Sequence, residues 1–162
     1  DLADLAGEYD LVILDCGSGI GPEVTDFCEL ADQVVVVTTP EPTALTDAYG
    51  MIKSLALRQL AGRVSILVNF AADRNEAKAT HARIAAVAKQ FLGRTVYEGG
   101  YLLTDPKVPA AVRQRRPFVL AYPWCPASRC LTTLAVKLRP RGIAHKATQK
   151  GGFLSRVLKW LD

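Results

Sequence analysis

The sequence has no apolar run near the roughly 20 residues that a membrane-spanning helix needs, and no secretory signal opens it. It has only two histidines, and no two cysteines have the Cys-x-x-Cys spacing. These absences favour reduced, small buried thiols over a disulfide framework or a zinc site. We therefore expect a soluble, cytoplasmic protein whose four thiols are free: Cys16, Cys28, Cys125 and Cys130.

Charge is distributed unevenly along the chain. From Lys137 onward there are seven Lys or Arg residues and one acid, Asp162, which gives +6. The preceding 136 residues carry 13 basic and 15 acidic groups, which gives −2. A basic C-terminal segment predicts an anionic partner, either lipid or nucleic acid.

Short apolar runs bounded by charged or turn residues predict strands at 9–15, 33–40, 64–69 and, interrupted by glycines, 95–103. Helical spacing predicts helices between and after them. The helices are expected at 22–31, 42–60 (capped by Thr43 or Thr46), 75–91, 106–116 and 126–138. Strands alternating with helices of this length predict an α/β fold with a mostly parallel sheet and helices on both faces.

In such sheets the ligand lies beyond the carboxyl ends of the strands. The loops at 15–21, 38–42, 69–76 and 103–109 are therefore the candidate site. The first of them has an acid, Asp15, after an apolar run and before a glycine-rich turn. A carboxylate there can hold magnesium, and glycines let backbone amides approach a phosphate.

Two segments are far more specific. Residues 14–21 read Leu-Asp-Cys-Gly-Ser-Gly-Ile-Gly, and residues 38–49 read Thr-Thr-Pro-Glu-Pro-Thr-Ala-Leu-Thr-Asp-Ala-Tyr. Together they resemble the MinD/ParA branch of P-loop ATPases, in particular its flagellar-number (FlhG/YlxH/FleN) subgroup. The late loops 104–106, 116–119 and 122–127 match the same family, so the resemblance covers residues 8–138.

The resemblance implies a site for ATP and Mg²⁺. Asp15 would be the catalytic, magnesium-side acid, acting through water, and Gly17 and Gly19 would belong to the switch that senses the γ-phosphate. Asn69 would bond the adenine edge, and Asp105 would lie beside the base. Asn69 has the alternative role of closing a local turn.

The resemblance also implies an ATP-dependent homodimer. Glu41 and Asp47 would line the face where two ATP-bound subunits meet. Their alternatives are a solvated loop acid and a helix-surface charge.

One family feature is missing. The lysine- and glycine-rich phosphate loop of the family occurs nowhere in these 162 residues, and Lys150-Gly151-Gly152 is only a superficial echo that follows no strand. Because the chain opens with Asp1 in a helical pattern, we expect an N-terminally truncated P-loop NTPase-like domain at 1–138. The family strand that is absent would be central, between the strands at 9–15 and 33–40.

After a basic linker at 139–152, residues 153–162 form a predicted amphipathic helix. At 100° per residue its apolar side chains fall within about 160° of arc, opposite Ser155, Arg156 and Lys159. Such a helix suits an anionic lipid interface; packing on the domain is the alternative. The membrane-facing residues are Phe153, Leu154, Val157, Leu158, Trp160 and Leu161.

We therefore expect an ATP-hydrolysing regulator of flagellar number or placement, at the inner face of the cell membrane, with a protein partner in the flagellar or positioning machinery. Two alternatives stay open: a partitioning ATPase that binds DNA, and a non-catalytic partner-binding module. The basic cluster of Arg113, Arg115 and Arg116, after Lys107, is either a solvated helix end or a contact with a partner or nucleic acid.

Overall fold

The computed structural model describes Tyr9 and residues 11–138. From Pro22 onward, helices and strands follow the predicted order, with one additional short helix. The helices are α1 (Pro22–Leu30), α2 (Pro42–Leu57), α3 (Arg74–Leu92), α4 (Lys107–Arg113), α5 (Phe118–Ala121) and α6 (Pro126–Leu138). The strands are β1 (Gln33–Thr38), β2 (Arg63–Ala71) and β3 (Tyr97–Leu103), and they form one parallel sheet in the order β1-β2-β3.

The register aligns the ends of the strands. Thr38 of β1 lies opposite Val68 of β2, and Ala71 of β2 lies opposite Leu103 of β3. The N–H of Thr104 then donates to the carbonyl of Ala71 at 2.9 Å. The loops that follow the three strands therefore leave the sheet at one edge, called the carboxyl edge below.

The core lies on both faces of β2. Val64, Ile66 and Val68 are buried in one cluster with residues of α2 and α3 such as Ile52. Because side chains alternate along a strand, Leu67 points to the other face, and it lies with Leu134 of α6 around Gly100. The predicted parallel sheet with helices on both faces is confirmed.

Several local predictions need correction. Neither Thr43 nor Thr46 caps α2: Glu41 is the N-cap residue, without a side-chain bond, and the Thr46 hydroxyl donates to the Pro42 carbonyl. The helix predicted at 106–116 ends at Arg113, and a separate short helix, α5, follows. β3 runs through both of its glycines because the register shifts beside Gly99.

The strand predicted at 9–15 is wrong for the described residues. Residues 11–17 have no regular secondary structure, and Ile13 is 74% exposed where a strand buried on both faces was expected. A strand is stable only when a neighbour satisfies its backbone hydrogen bonds. Within the described residues β1 pairs with β2 alone, and nothing supplies the strand that the family resemblance puts between β1 and this segment.

In the part of the chain that the structure describes, no helix is both long and apolar enough to span a bilayer. The predicted linker at 139–152 and the predicted membrane helix at 153–162 lie outside the described residues.

Candidate functional site

The loop after β1 is held by threonine hydroxyls. Buried Thr38 donates its Oγ1 hydrogen to the Ala44 carbonyl at 3.0 Å, which fixes the start of α2 against the end of β1. Thr39 Oγ1 accepts the N–H of Glu41 at 3.4 Å. These bonds turn the chain tightly at the carboxyl edge and explain why two threonines stand there.

The two acids predicted to face a second subunit are both exposed. Glu41 precedes α2, and Asp47 lies on its early turns. Within the described residues, no hydrogen bond or ion pair engages either carboxylate. Their accessibility is compatible with a dimer face and equally with solvated charges, so the dimer role stays a prediction.

Asn69 and Phe70 form an irregular end of β2. The Asn69 Oδ1 accepts the N–H of the next residue, Phe70, at 2.9 Å, a local contact inside β2 and not the turn considered as its alternative role. Phe70 has φ of 55°, in the left-handed region that a bulky residue rarely adopts, and its side chain is 58% exposed. Among the described residues nothing is hydrogen-bonded to the Asn69 amide nitrogen, and its contact with a base stays a prediction.

Asp105 is buried in the loop after β3. Its Oδ1 accepts the N–H of Lys107 at 2.9 Å, and its Oδ2 accepts the N–H of Ala127 at 3.2 Å. The Lys107 N–H, with help from the Ala127 N–H and the Cys125 side chain, holds the pKa of this carboxyl below its usual range although burial opposes the shift. Asp105 therefore joins the loop after β3 to the start of α6.

Tyr122 also joins the segment after β3 to the start of α6. The Lys107 Nζ lies 5.1 Å from the centre of its ring, and the Gln114 Nε2 donates to its hydroxyl at 3.1 Å. The Ser128 hydroxyl donates to its carbonyl at 2.8 Å. The family-like segments 104–106 and 122–127 are thus brought together by hydrogen bonds. The structural role of Asp105 is plain, and its place beside a base stays a prediction.

Asp15 does not lie at the end of a strand. Asp15, Gly17 and Gly19 are exposed, and a Cβ atom on either glycine would have nothing within 4 Å. Gly19 has φ of 110°, which favours glycine at that position. The roles of these three residues in holding magnesium and sensing phosphate stay predictions.

The cysteines differ in exposure, and Cys125 and Cys130 are half-buried. All four are free, with Cys28 buried and Cys16 exposed; the expectation of buried thiols is therefore wrong for Cys16. Burial raises the pKa of the Cys28 thiol, as do the nearby Cys16 and Glu29, which suits an inert core thiol. Among the residues described, no three His, Cys, Asp or Glu side chains form a metal-binding cluster.

Sequence reasoning missed two polar residues that organise the fold. Asp73 caps α3 by accepting the N–H groups of Asn75 and Glu76 at 2.7 and 2.9 Å. Asp-Arg-Asn-Glu at 73–76 has the sequence pattern of an N-cap and could have revealed it. Arg94 donates to the carbonyls of Leu60 and Gly62, both at 2.9 Å; no local sequence pattern indicates such a long-range contact.

No protein-family model matches the chain. Among characterised proteins, it is 31% identical over 136 residues to the antiactivator FleN of Pseudomonas aeruginosa, which covers 84% of this chain and 49% of FleN. It is 39% identical over 89 residues to the flagellum site-determining protein YlxH of Helicobacter pylori, covering 55% of this chain and 30% of YlxH. The chain spans about half the length of FleN.

Among solved structures, the septum site-determining protein MinD of Pyrococcus horikoshii, complexed with Mg-ADP, superposes with a TM-score of 0.66. The match covers 90% of this chain and 57% of that MinD chain, at 18% identity. At this identity the likeness concerns the fold, and it confirms the predicted P-loop NTPase-like α/β architecture.

Proposed function

The chain belongs to the MinD/ParA family and is most similar to its FlhG/FleN/YlxH subgroup. We propose that it acts as an ATP-binding and ATP-hydrolysing spatial regulator of flagellar number or placement. This proposal rests on the similarity to an antiactivator and to a flagellum site-determining protein, which extends over most of residues 8–138. The whole protein would cycle between an ATP-bound dimer on the membrane and a monomer in the cytosol.

Nucleotide would bind at the carboxyl edge. The amide nitrogen of Asn69 and the bulged end of β2 fit the base side of such a ligand. Exposed Asp15 can hold Mg²⁺ through water, and the exposed Gly17 and Gly19 would bring their amides to the phosphates. These residues do not make a full triphosphate cradle, because no lysine-bearing phosphate loop occurs in the 162 residues. Catalysis would rest on positioning a water and stabilising charge.

Dimerisation would make membrane binding depend on the bound nucleotide. Exposed Glu41 and Asp47 would meet a second ATP-bound subunit, and each subunit would bring one C-terminal segment. Two weak anchors on one particle bind a surface far better than one. Hydrolysis would separate the subunits and release the protein. A flagellar or positioning protein would respond to the dimer.

The decisive experiment measures nucleotide, assembly and lipid binding on one preparation of the whole protein. We expect Mg-ATP to produce a dimer that sediments with anionic vesicles, and Mg-ADP to leave a monomer that does not. The Asp15→Ala variant should bind nucleotide and lose hydrolysis, so that it stays on vesicles. Nucleotide-independent vesicle binding would contradict the cycle. Salt-sensitive DNA binding without vesicle binding would instead favour a partitioning ATPase.

A further inference from the structure

The short helix α5 is apolar throughout, and one of its four residues is exposed. It consists of Phe-Val-Leu-Ala at 118–121, and Leu120 is 70% exposed. A helix on the surface of a globular domain normally turns an apolar stripe towards the core. Phe118, Val119 and Ala121 are half-buried, so Leu120 is the apolar side chain of α5 that stays in contact with solvent.

Two further apolar side chains flank this helix. Val112 on α4 is 68% exposed, and Trp124, in the turn after α5, is 88% exposed. The backbone that carries them is fixed, because Ala111 is fully buried and Tyr122 is held by Lys107 and Gln114. The exposed side chains thus project from an ordered framework.

The segment that carries these side chains has charges of a single sign. Residues 106–138 contain six Lys or Arg and no Asp or Glu. Arg113, Arg115 and Arg116, which connect α4 to α5, are all exposed. We define the α4–α5 surface by its three apolar and three cationic residues: Val112, Leu120, Trp124, Arg113, Arg115 and Arg116.

A comparison within the fold shows that this combination is unusual. Leu57 at the end of α2 is 74% exposed, as much as Leu120. The next residue, however, is Arg58, which is paired with Asp26 at 2.8 Å and Glu29 at 2.7 Å. Leu57 therefore lies beside charges of both signs, whereas the segment 106–138 that carries Leu120 and Trp124 contains only cations, and the acid just before it, Asp105, is buried.

We infer that the α4–α5 surface of the folded domain contacts the headgroup region of an anionic membrane. A surface that carries only cations is attracted to a uniformly anionic membrane. Exposed Trp, Leu and Val side chains gain free energy when they enter the apolar boundary below the headgroups. Duplex DNA would match the arginines but would leave the apolar side chains in water. A protein partner would need an apolar patch surrounded by acids, and polyglutamate tests the attraction to such acids below.

This inference rests on the proposed membrane association and adds a second contact to the C-terminal segment. Helix α6 has 13 residues, a length of about 20 Å at 1.5 Å per residue. The 14 residues at 139–152 can span up to about 46 Å at roughly 3.3 Å each. The C-terminal segment can therefore reach the same bilayer as the α4–α5 surface. Two linked contacts strengthen each other without any new interaction.

Trp124 provides a direct probe, because the chain has only two tryptophans. In a Trp160→Phe chain, Trp124 emission should shift to the blue with vesicles of phosphatidylglycerol and phosphatidylcholine, and lipids brominated in the acyl chain should quench it. Phosphatidylcholine vesicles, polyglutamate and duplex DNA should leave it unchanged. No shift with the anionic vesicles would overturn the inference. So would an equal shift with polyglutamate or DNA, which would identify a protein or nucleic-acid partner.

A variant pair tests the energetic contribution. Leu120→Glu with Trp124→Glu should weaken sedimentation of the full chain with anionic vesicles by about tenfold or more, since two large apolar side chains leave the interface. The matched control is Leu57→Glu with Phe91→Glu, at residues 74% and 67% exposed, which should change it less than about twofold. Equal effects of the two variants would overturn the inference.

If the variant with Leu120→Glu and Trp124→Glu folds poorly, charge variants test the same surface. Arg113→Gln with Arg116→Gln should weaken binding to anionic vesicles, whereas Lys53→Gln with Lys89→Gln, exposed on α2 and α3, should weaken it much less. Equal losses would overturn the α4–α5 assignment.

The tail variant Leu158→Glu with Trp160→Glu separates the two claims. If it abolishes binding while the α4–α5 variants change nothing, this inference fails and the proposed membrane association stands. If the unsubstituted chain does not sediment with anionic vesicles, both fail.

Discussion

Replacing Asp105 should destabilise the fold more than replacing any other hydrogen-bonding aspartate in the described structure. Both oxygens of its buried carboxylate accept backbone N–H groups, from Lys107 and Ala127. A hydrogen bond to a charged group contributes about 1.5–3 kcal/mol net. Asp105→Ala would remove two such bonds and leave buried donors without a partner, a cost of about 3 kcal/mol or more. For a chain of 162 residues, that lowers Tm by about 6–12 °C.

Asp73 is the matched control because it also accepts two backbone N–H groups, but at an exposed helix start. Asp73→Ala should cost about 1 kcal/mol, the usual value for an N-cap, and Asp73→Asn almost nothing. Asp105→Asn should still cost roughly 1–3 kcal/mol, because its NH₂ group would face a backbone N–H. Urea unfolding of the four variants at neutral pH makes the comparison. A loss in Asp105→Ala no larger than that in Asp73→Ala would refute the reasoning.

The pH dependence follows from the lowered pKa of Asp105. Because the folded pKa lies below the unfolded one, the unfolded state binds the proton more readily, and stability rises with pH. The contribution is complete above the unfolded pKa of about 3.9 and is lost as the pH falls through the lower folded pKa. The stability difference between the unsubstituted chain and Asp105→Asn should therefore shrink in strong acid. A difference that is constant between pH 7 and pH 2 would show that ionisation of Asp105 contributes nothing.

Four further predictions concern the activity of the chain and three single residues. The 162-residue chain should show no Mg-dependent ATP hydrolysis above background, since it has no phosphate loop; steady turnover that Asp15→Ala abolishes would contradict this. In the whole protein, Asn69→Ala should weaken ATP binding by about tenfold, the effect of one hydrogen bond; calorimetry showing unchanged ATP and GTP affinities would remove Asn69 from the site. Gly99→Ala should destabilise by about 1–3 kcal/mol, because the new Cβ would lie 2.8 Å from the Ile66 carbonyl oxygen. Gly50→Ala, with nothing within 4 Å, should stabilise α2 by up to about 1 kcal/mol, as thermal unfolding can check.

The elements that the sequence predicted well are those with strong local patterns. The β-branched run at 34–37 forms the body of β1, and the proline at the start of α6 together with its apolar spacing gave both ends of Pro126–Leu138. These patterns succeed because burial of one face decides the structure of each segment. The loops after β1, β2 and β3 leave the sheet at one edge as predicted, because parallel strands necessarily end at the same edge.

The failures have a different origin, because they depend on partners distant in the chain. The segment at 9–15 has the composition of a buried strand, but a strand forms only beside a neighbour, and β1 pairs with β2 alone in the described residues. Asp105 reads as a loop acid in the sequence; only the fold brings the N–H of Ala127, 22 residues away, to its carboxylate. The roles of Asp15, Gly17, Gly19, Asn69, Glu41 and Asp47 depend on ligands or subunits and so remain predictions.

Backbone strain at Phe70 is also not indicated by any sequence pattern. It predicts that glycine is more stable than alanine at this position, the reverse of the usual order. In a strand or helix, glycine is normally less stable than alanine by roughly 0.5–1 kcal/mol. At Phe70, with φ of 55°, alanine would keep the strained left-handed backbone and glycine would relieve it. We therefore expect Phe70→Gly to be more stable than Phe70→Ala by about 1 kcal/mol. Phe91, 67% exposed within regular α3, is the control, where the glycine variant should be the less stable one by about 1 kcal/mol. Urea unfolding of the four variants compares the two sites. The same order at both sites would mean that the end of β2 stores no strain, and the bulge at Asn69 and Phe70 would then be an ordinary strand end.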